Sequence, residues 1–181
     1  NQTDADVATL ANGESLVVAF EPHPVSRGRL LYNIAANGVA DRVSVEPVAV
    51  GPEPGKATLW ANASGNQGRA SLHAFSGDRS KGYEVEVAPL AERLARYDAP
   101  IGVLKIDIEG FEDQALLPYF ASVPAERWPR AIVVETTHAA LWREDLLRAL
   151  AARGYVTAAG NAENAMLIMS GASAVPPTEP R

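Results

Sequence analysis

Apolar positions along the chain follow two patterns, one typical of buried strands and one typical of amphipathic helices. Residues 16–20 form a continuous apolar run, as expected for a parallel strand covered on both faces. Residues 25–37 carry an apolar stripe at helical spacing and end in Asn37 and Gly38, a common helix stop. These patterns predict strands at residues 16–20, 43–50, 56–61, 83–87, 101–108, 131–135, 155–159 and 165–169, and helices at 25–37, 90–94, 111–120 and 141–153.

The order of these elements predicts an α/β fold with a mostly parallel sheet covered by helices. Only residues 160–164 separate the last two strands, too few for a helical crossover, so these strands should form an antiparallel C-terminal hairpin. Residues 62–82, rich in Gly, Ser and Asn, are expected to form a long loop. The proline-rich residues 171–181 are predicted to be a disordered tail after one domain over residues 1–170.

Composition and charge narrow the functional classes. The 181 residues carry a formal net charge of −6 and contain no run of Lys or Arg, which argues against a nucleic-acid partner. No apolar run approaches the roughly 20 residues that a membrane span needs. The absence of cysteine excludes disulfides, thiolate metal ligands and a cysteine nucleophile. A cytoplasmic protein is the default expectation, and neither a nucleic acid nor a membrane is expected as a partner. The pattern favours no particular oligomeric state.

Ligands on parallel α/β sheets bind beyond the carboxyl ends of the strands, so the residues that follow each strand are candidates for chemistry. Glu21, with Pro22 beside it, follows the first predicted strand, where a carboxylate can accept two hydrogen bonds from a ribose diol. The alternative is a solvated acid before a proline turn. Ala49 and Val50 end the second strand. They suit either a slot for a flat purine or a plain strand-to-turn junction.

Residues 103–112 place three acids and a lysine around a glycine turn at the end of a buried strand. Carboxylates at a mostly buried position are costly unless they are paired or used. Asp107 is therefore a candidate to contact a cofactor, orient an acceptor or bind a metal. Glu109 is a second candidate, on the other face of the strand if the strand continues. Glu112 is expected to complement the dipole of the next helix, a structural role, and Lys105 to pair with an acid.

The next strand end contributes Glu135 and, three residues later, His138. An imidazole that is neutral near pH 7 suits the removal of a proton from an acceptor hydroxyl. The alternative interpretation is that His138 merely begins the following helix in solvent. Both interpretations are compatible with the sequence.

Several short motifs stand in order along residues 16–170. They are A-F-E-P-H-P (19–24), L-x-x-N-I-x-x-N (30–37), A-V-G (49–51), G-N-Q-G-R-A-S-L (65–72), L-K-I-D-I-E-G-F-E (104–112), V-V-E-T (133–136) and L-x-x-L-x-x-x-G-Y (147–155). Together they resemble the FkbM family of S-adenosylmethionine-dependent methyltransferases. The combination of K-I-D-I-E-G with A-F-E-P is the specific part, because each piece alone is a weak signal.

The resemblance implies a Rossmann-like class I methyltransferase fold whose seventh strand is antiparallel, in agreement with the hairpin predicted above. It implies S-adenosylmethionine as the cofactor. Glu21, followed by Pro22, resembles the acid that binds the ribose, and Ala49 and Val50 would lie near the adenine. Typical reactions of the family are O-methylations of sugars, polyketides and similar secondary metabolites.

The resemblance also implies that Asp107 and Glu109 face the methyl-transfer pocket, with Asp107 close to the cofactor. Ser71 and its glycine-rich loop would help to close the site. One departure concerns the family's first strand, which ends in a glycine-rich loop around the methionine part of the cofactor. No such strand precedes Asn1, although Asn1 matches the last residue of that loop by its spacing to A-F-E-P. We expect the first strand to lie upstream of this sequence.

Methyl transfer from a sulfonium is an in-line displacement, for which a protein mainly supplies orientation and electrostatics. An alcohol acceptor must also lose a proton, and His138, Asp107 and Glu109 are the candidate bases. A Mg²⁺ ion held by Asp107 and Glu135 is a less favoured route, because two acids do not define a metal site.

Two other functions compete with methyl transfer. A nicotinamide-dependent oxidoreductase would share the ribose-binding acid, but the sequence lacks G-x-G-x-x-G and the terminal hairpin fits such a fold poorly. A non-catalytic, methyltransferase-like interaction module is favoured by the missing glycine-rich loop. The intact cluster of acids after the strands argues against it.

Overall fold

The computed structural model describes residues 15–60 and 82–171 of the chain. The chain divides into two compact units, Asn1–Leu94 and Ala95–Arg181. The long loop predicted within 62–82 and the tail predicted at 171–181 lie almost entirely outside the described residues. Within the described ranges, no helix is both long and apolar enough to cross a membrane.

The first unit contains parallel and antiparallel strand pairs. Its elements are β1 (Val17–Phe20), α1 (Pro24–Ala36), β2 (Val43–Glu46), β3 (Ala49–Val50), β4 (Gly55–Trp60), β5 (Gly82–Ala88) and α2 (Leu90–Leu94). Strands β1 and β2 are parallel, with Phe20 opposite Glu46. Strand β5 pairs parallel with β3 and antiparallel with β4.

The strand predicted at 43–50 is in fact two strands that belong to different sheets. Strand β2 pairs with β1, whereas β3 pairs with β5. Pro47 lies between them, and a proline cannot donate a ladder hydrogen bond. The chain therefore leaves one sheet at this point and joins the next.

Two apolar clusters hold the first unit together. In one cluster, buried side chains of α1 and the following turn pack on β1 and β2; its members are Leu30, Ile34, Val39, Val17, Ala19, Val43 and Val45. In the other, Ala49, Leu59 and Val85 pack together with Tyr83 and Val87. Each buried aliphatic side chain contributes roughly 1.5–3 kcal/mol, so these clusters fix the strands that carry the candidate residues.

Helix α1 begins at a histidine cap. Pro24 occupies the first helical position, and the Nδ1 atom of His23 accepts a hydrogen bond from the backbone N–H of Ser26 at 3.2 Å. The His23 ring is buried and meets the ring of Tyr83 edge-on, with 4.5 Å between centroids. Burial, reinforced by the charges of Arg29 and then Arg27, lowers the pKa of His23 below its ordinary value. The cap therefore depends on a neutral imidazole.

The second unit is built on one four-stranded sheet in the order β6-β7-β9-β8. Its elements are β6 (Val103–Ile106), α3 (Glu112–Ser122), β7 (Ala131–Glu135), α4 (Leu146–Ala151), β8 (Tyr155–Gly160) and β9 (Asn164–Met169). Strands β6 and β7 are parallel, and β9 runs antiparallel to both β7 and β8. The predicted C-terminal hairpin is confirmed. The α/β class is confirmed as well. A mostly parallel sheet is not, because three of the six pairings among the described strands are parallel and three are antiparallel.

The helix predicted at 141–153 is shorter than the sequence pattern suggested. Residues Ala139–Leu141 form a single 3-10 turn, and helix α4 covers only Leu146–Ala151. Asp145 sets the start of the helix, because its side chain accepts a hydrogen bond from the N–H of Arg148 at 3.0 Å. The residues before Asp145 are thereby left as a loop beyond β7.

The core of the second unit lies between its sheet and its helices. Leu116 of α3, Ile132 of β7 and Leu150 of α4 are fully buried. Tyr155 donates its hydroxyl hydrogen to the carbonyl oxygen of Pro129 at 2.6 Å, and burial raises the pKa of this tyrosine. The buried hydroxyl is thus satisfied, and the aromatic ring is free to pack in the core.

A tight turn after β6 requires glycine. Glu109 and Gly110 both have positive φ angles, 57° and 96°. A Cβ atom on Gly110 would lie 2.8 Å from Cδ1 of Leu141 and 3.4 Å from Cβ of His138. Only a residue without a side chain allows this turn to contact the 3-10 turn after β7 so closely.

Protonation of His23 should destabilise the first unit. The folded pKa lies below the ordinary value of 6.5, so the unfolded chain binds the proton first as the pH falls. The stability due to neutral His23 is complete above about pH 6.5 and is lost as the pH drops towards the lowered folded pKa. Chemical denaturation between about pH 8 and pH 5 should show a smaller pH dependence for His23→Asn, which keeps a capping side chain without an ionisable ring. Equal pH dependence in both proteins would contradict the assignment.

Gly110→Ala should cost about 1–3 kcal/mol of unfolding free energy, because alanine is strained at this φ and its Cβ overlaps Leu141. Gly102→Ala is the matched control, since a Cβ at Gly102 meets nothing within 4 Å. The control should change stability by less than about 0.5 kcal/mol. Urea denaturation of both variants measures the difference. Equal stabilities would show that the turn tolerates a side chain.

Candidate active site

Acidic residues end or follow two adjacent parallel strands of the second unit. In the register of β6 and β7, Ile106 lies opposite Val134, so Asp107 and Glu135 come at the same edge of the sheet. This is the carboxyl edge of the parallel pair, where ligands of α/β sheets bind. These acids therefore lie at the edge of the sheet where the sequence pattern predicted the candidate site residues.

A histidine and two carboxylates meet beyond this edge. The Nδ1 atom of His138 lies 3.2 Å from Oε2 of Glu109 and 3.5 Å from Oε2 of Glu135. The side chains are 29%, 17% and 9% exposed for His138, Glu109 and Glu135, and Nδ1 itself is shielded from water. We refer to Glu109, Glu135 and His138 as the acid–histidine cluster.

The cluster favours one protonation pattern of the histidine. Ionised carboxylates only accept hydrogen bonds, so a neutral ring fits these neighbours with its proton on Nδ1. The basic nitrogen is then Nε2. Chemically, the arrangement can accept a proton from a hydroxyl group.

Local backbone structure places each member of the cluster. Glu109 lies on the left-handed turn before Gly110, and Glu135 is the last residue of β7. The Oε1 atom of Glu135 accepts a hydrogen bond from the N–H of Thr137 at 2.8 Å, which shapes the turn that leads to His138. His138 precedes the 3-10 turn Ala139–Leu141. His138 thus begins the next turn, as the alternative interpretation had it, but its side chain is partly buried against Glu109 and Glu135.

Glu112 is fully buried beside the cluster. It lies in the first turn of α3, as expected, but its hydrogen-bond donors are outside that helix. Oε1 accepts from the N–H of Ile108 at 2.8 Å, and the carboxylate also accepts from the N–H of Gly110. Oε2 accepts from Nε1 of Trp142 at 2.7 Å. The sequence pattern missed this role, because no spacing rule links an acid to an indole thirty residues away.

Asp107 has a different environment from the cluster. Its side chain is 44% exposed, and one carboxylate oxygen lies 3.3 Å from Nζ of Lys105. The predicted pairing of Lys105 with an acid is therefore confirmed, with Asp107 as the partner. Strand β6 ends at Ile106, so the alternation of faces expected for Glu109 does not extend to it.

In the first unit, Glu21 follows β1 and shapes the turn before α1. Its Oε1 atom accepts a hydrogen bond from the N–H of His23 at 2.8 Å. Arg27 Nη1 donates to the carbonyl oxygens of Glu21 and Pro22 at 3.2 and 3.0 Å. The Glu21 carboxylate is partly buried and is held at the carboxyl end of a parallel strand. A carboxylate in this position suits a ribose diol, which donates hydrogen bonds.

Ala49 and Val50 form the short strand β3 and are both buried. Ala49 packs against Leu59 and Val85 in an apolar cluster.

Asn1 and Ser71, the two other predicted site residues, lie outside the described residues. Among residues 15–60 and 82–171, no group of three or more His, Asp or Glu side chains has the geometry of a metal site.

A crystal structure similar to this chain is that of methyltransferase FkbM from Methylobacillus flagellatus KT. The two structures align with a TM-score of 0.55 at 16% sequence identity, over 85% of this chain and 36% of the other. At this identity the likeness concerns the fold alone. This chain thus spans about a third of the length of that protein. Among curated proteins, there is no significant match.

A family model gives the decisive result. The model of the methyltransferase FkbM domain matches residues 2–157, which is most of the sequence and includes both strand ends of the acid–histidine cluster. The resemblance first seen in the order of the short motifs is thereby confirmed, and the chain belongs to the FkbM methyltransferase family.

Proposed function

We propose that this chain transfers a methyl group from S-adenosylmethionine to a hydroxyl group of a small molecule or glycan. Membership of the FkbM family supports methyl transfer, and S-adenosylmethionine is the general donor in methyltransferases. The observation that carries the choice of a hydroxyl is the acid–histidine cluster, because a hydroxyl acceptor must lose a proton when it is methylated.

The first unit offers residues that fit the nucleoside part of the cofactor. Glu21 would accept hydrogen bonds from the ribose through the carboxylate that already orients the turn before α1. Pro22 would line the same turn, and Ala49 and Val50 would lie near the adenine. The proposal includes a Rossmann-like arrangement of the strands, which is supported by the parallel pairs β1–β2 and β6–β7 and by the antiparallel C-terminal hairpin.

When bound, S-adenosylmethionine supplies a methyl group already activated on a sulfonium sulfur. The chain's own residues then have to orient the acceptor and remove its proton. His138 would take this proton on Nε2 while Glu109 and Glu135 face Nδ1 and stabilise the positive charge. Asp107 would contact the cofactor or acceptor, and Ser71 and Asn1 would contribute from outside the described residues.

Calorimetric titration with S-adenosylhomocysteine tests the cofactor assignment, with NAD as the negative control. Glu21→Gln keeps an oxygen for the N–H of His23 but removes the charge, so it should weaken binding by about 1–3 kcal/mol. Glu53→Gln, at an exposed acid of the same unit, is the matched control and should bind like the wild type. Equal affinity of both variants would remove Glu21 from the ribose role. Binding of NAD instead would favour an oxidoreductase.

Methyl transfer to a panel of methyl glycosides, followed with tritiated S-adenosylmethionine, tests the catalytic base. His138→Gln should lower turnover about 100-fold or more, the lower end of the usual contribution of a general base. Its affinity for S-adenosylhomocysteine should stay at the wild-type value. Glu126→Gln, an exposed acid elsewhere in the second unit, should retain turnover. Undiminished turnover in His138→Gln would exclude His138 as the base.

A further inference from the structure

The buried carboxylate of Glu112 connects two loops that carry different members of the acid–histidine cluster. Its side chain is fully enclosed, so water cannot solvate the charge. It accepts hydrogen bonds from the N–H groups of Ile108 and Gly110, which flank Glu109 on both sides. It also accepts from the indole of Trp142, in the loop after β7 that carries His138.

These hydrogen bonds do not cap helix α3, which Glu112 begins. A capping acid accepts from the free N–H groups of its own first turn. The N–H groups bound by Glu112 precede helix α3, and the indole of Trp142 is distant in sequence. The charge of Glu112 therefore organises the turn after β6 and the loop after β7 in relation to each other.

Two independent contacts support the close junction of these loops. Asp113, also buried, accepts hydrogen bonds from the backbone N–H groups of Arg143 at 2.8 Å and Glu144 at 3.2 Å. A Cβ atom on Gly110 would overlap Leu141, so the loops already touch at the glycine. The loop after β7 is thus anchored at two points next to the start of α3.

We propose that Glu112, acting through Trp142, is a positioning residue that sets the contact between Glu109 and His138. The inference rests on the proposed function, in which that contact orients the catalytic base. Glu112 itself contacts neither Glu109 nor His138 in the hydrogen bonds described above. It fixes the backbone on either side of Glu109 and the loop that carries His138, and the 3.2 Å contact follows from both.

The test measures which ring nitrogen of His138 carries the proton, in the chain without cofactor. Long-range ¹H–¹⁵N spectra at about pH 8 distinguish the two neutral tautomers, and His138→Gln assigns the resonances. In the wild type the proton should reside on Nδ1. Trp142→Phe removes the indole donor to Glu112 and should change the tautomer ratio about fivefold towards Nε2–H, because the contact between Nδ1 of His138 and Glu109 is loosened.

Trp128→Phe is the matched control. Trp128 lies in the same unit, and its indole donates to the carbonyl oxygen of Val123 at 3.2 Å, away from the cluster. This variant should keep the wild-type tautomer even if it unfolds at a lower temperature. A purely structural role for Trp142 would lower the unfolding temperature of Trp142→Phe and leave the His138 tautomer as in the wild type, and that result would overturn the inference.

Glu112→Gln provides a second variant, because its amide has one acceptor oxygen and places an NH₂ group where the other carboxylate oxygen faces a donor. It should shift the His138 tautomer in the same direction as Trp142→Phe. If Glu112→Gln does not fold, the tautomer of Trp142→Phe still decides the question. An absence of methyl transfer in the assays above would overturn the proposed function without affecting this result. A wild-type tautomer in Trp142→Phe alongside normal turnover would overturn the positioning role alone.

Discussion

The second unit depends on the complete burial of the Glu112 carboxylate. Removing a carboxylate from water costs several kcal/mol even after a protein relaxes around it, so Glu112 must be fully provided with donors. Those donors come from the turn after β6 and from the indole of Trp142, and both must be present together. The loops are therefore not independent. A chain that buries Glu112 necessarily brings the residues beyond β6 close to those beyond β7.

The backbone conformation of the turn after β6 is a second constraint that brings Glu109 towards His138. Glu109 adopts a left-handed conformation that is costly for a residue with a side chain, by about 1–3 kcal/mol. Gly110 then continues the turn, where any side chain would meet Leu141. The hydrogen bonds from Ile108 and Gly110 to Glu112 hold this conformation. Strain and burial together direct the Glu109 carboxylate to His138 instead of letting it follow the alternation of a strand.

The sequence predicted the elements whose patterns are local, and it failed where tertiary contacts decide. The strand 131–135 and the terminal hairpin are confirmed, because their apolar runs match the burial of the strands. The boundary at Pro47 and the late start of α4 at Asp145 depend on which sheet or cap the chain joins. At the candidate site, the pattern identified acids and a histidine at the strand ends. It did not predict the hydrogen bonds of Glu112, since these arise from the folded loop after β7.

The contrast between Glu112 and Asp107 separates a structural acid from one suited to a ligand. Glu112 is buried and satisfied, so the fold explains its presence. Asp107 is half-exposed, and its pair with Lys105 contributes little, since exposed ion pairs are typically worth less than about 1 kcal/mol. Stability alone thus gives no reason for an acid directly beyond β6. The position of Asp107 at the carboxyl edge of the parallel pair does give a reason, because a ligand bound there would contact this carboxylate. This placement agrees with the proposed function, in which Asp107 would contact the cofactor or acceptor and the acid–histidine cluster would serve proton transfer.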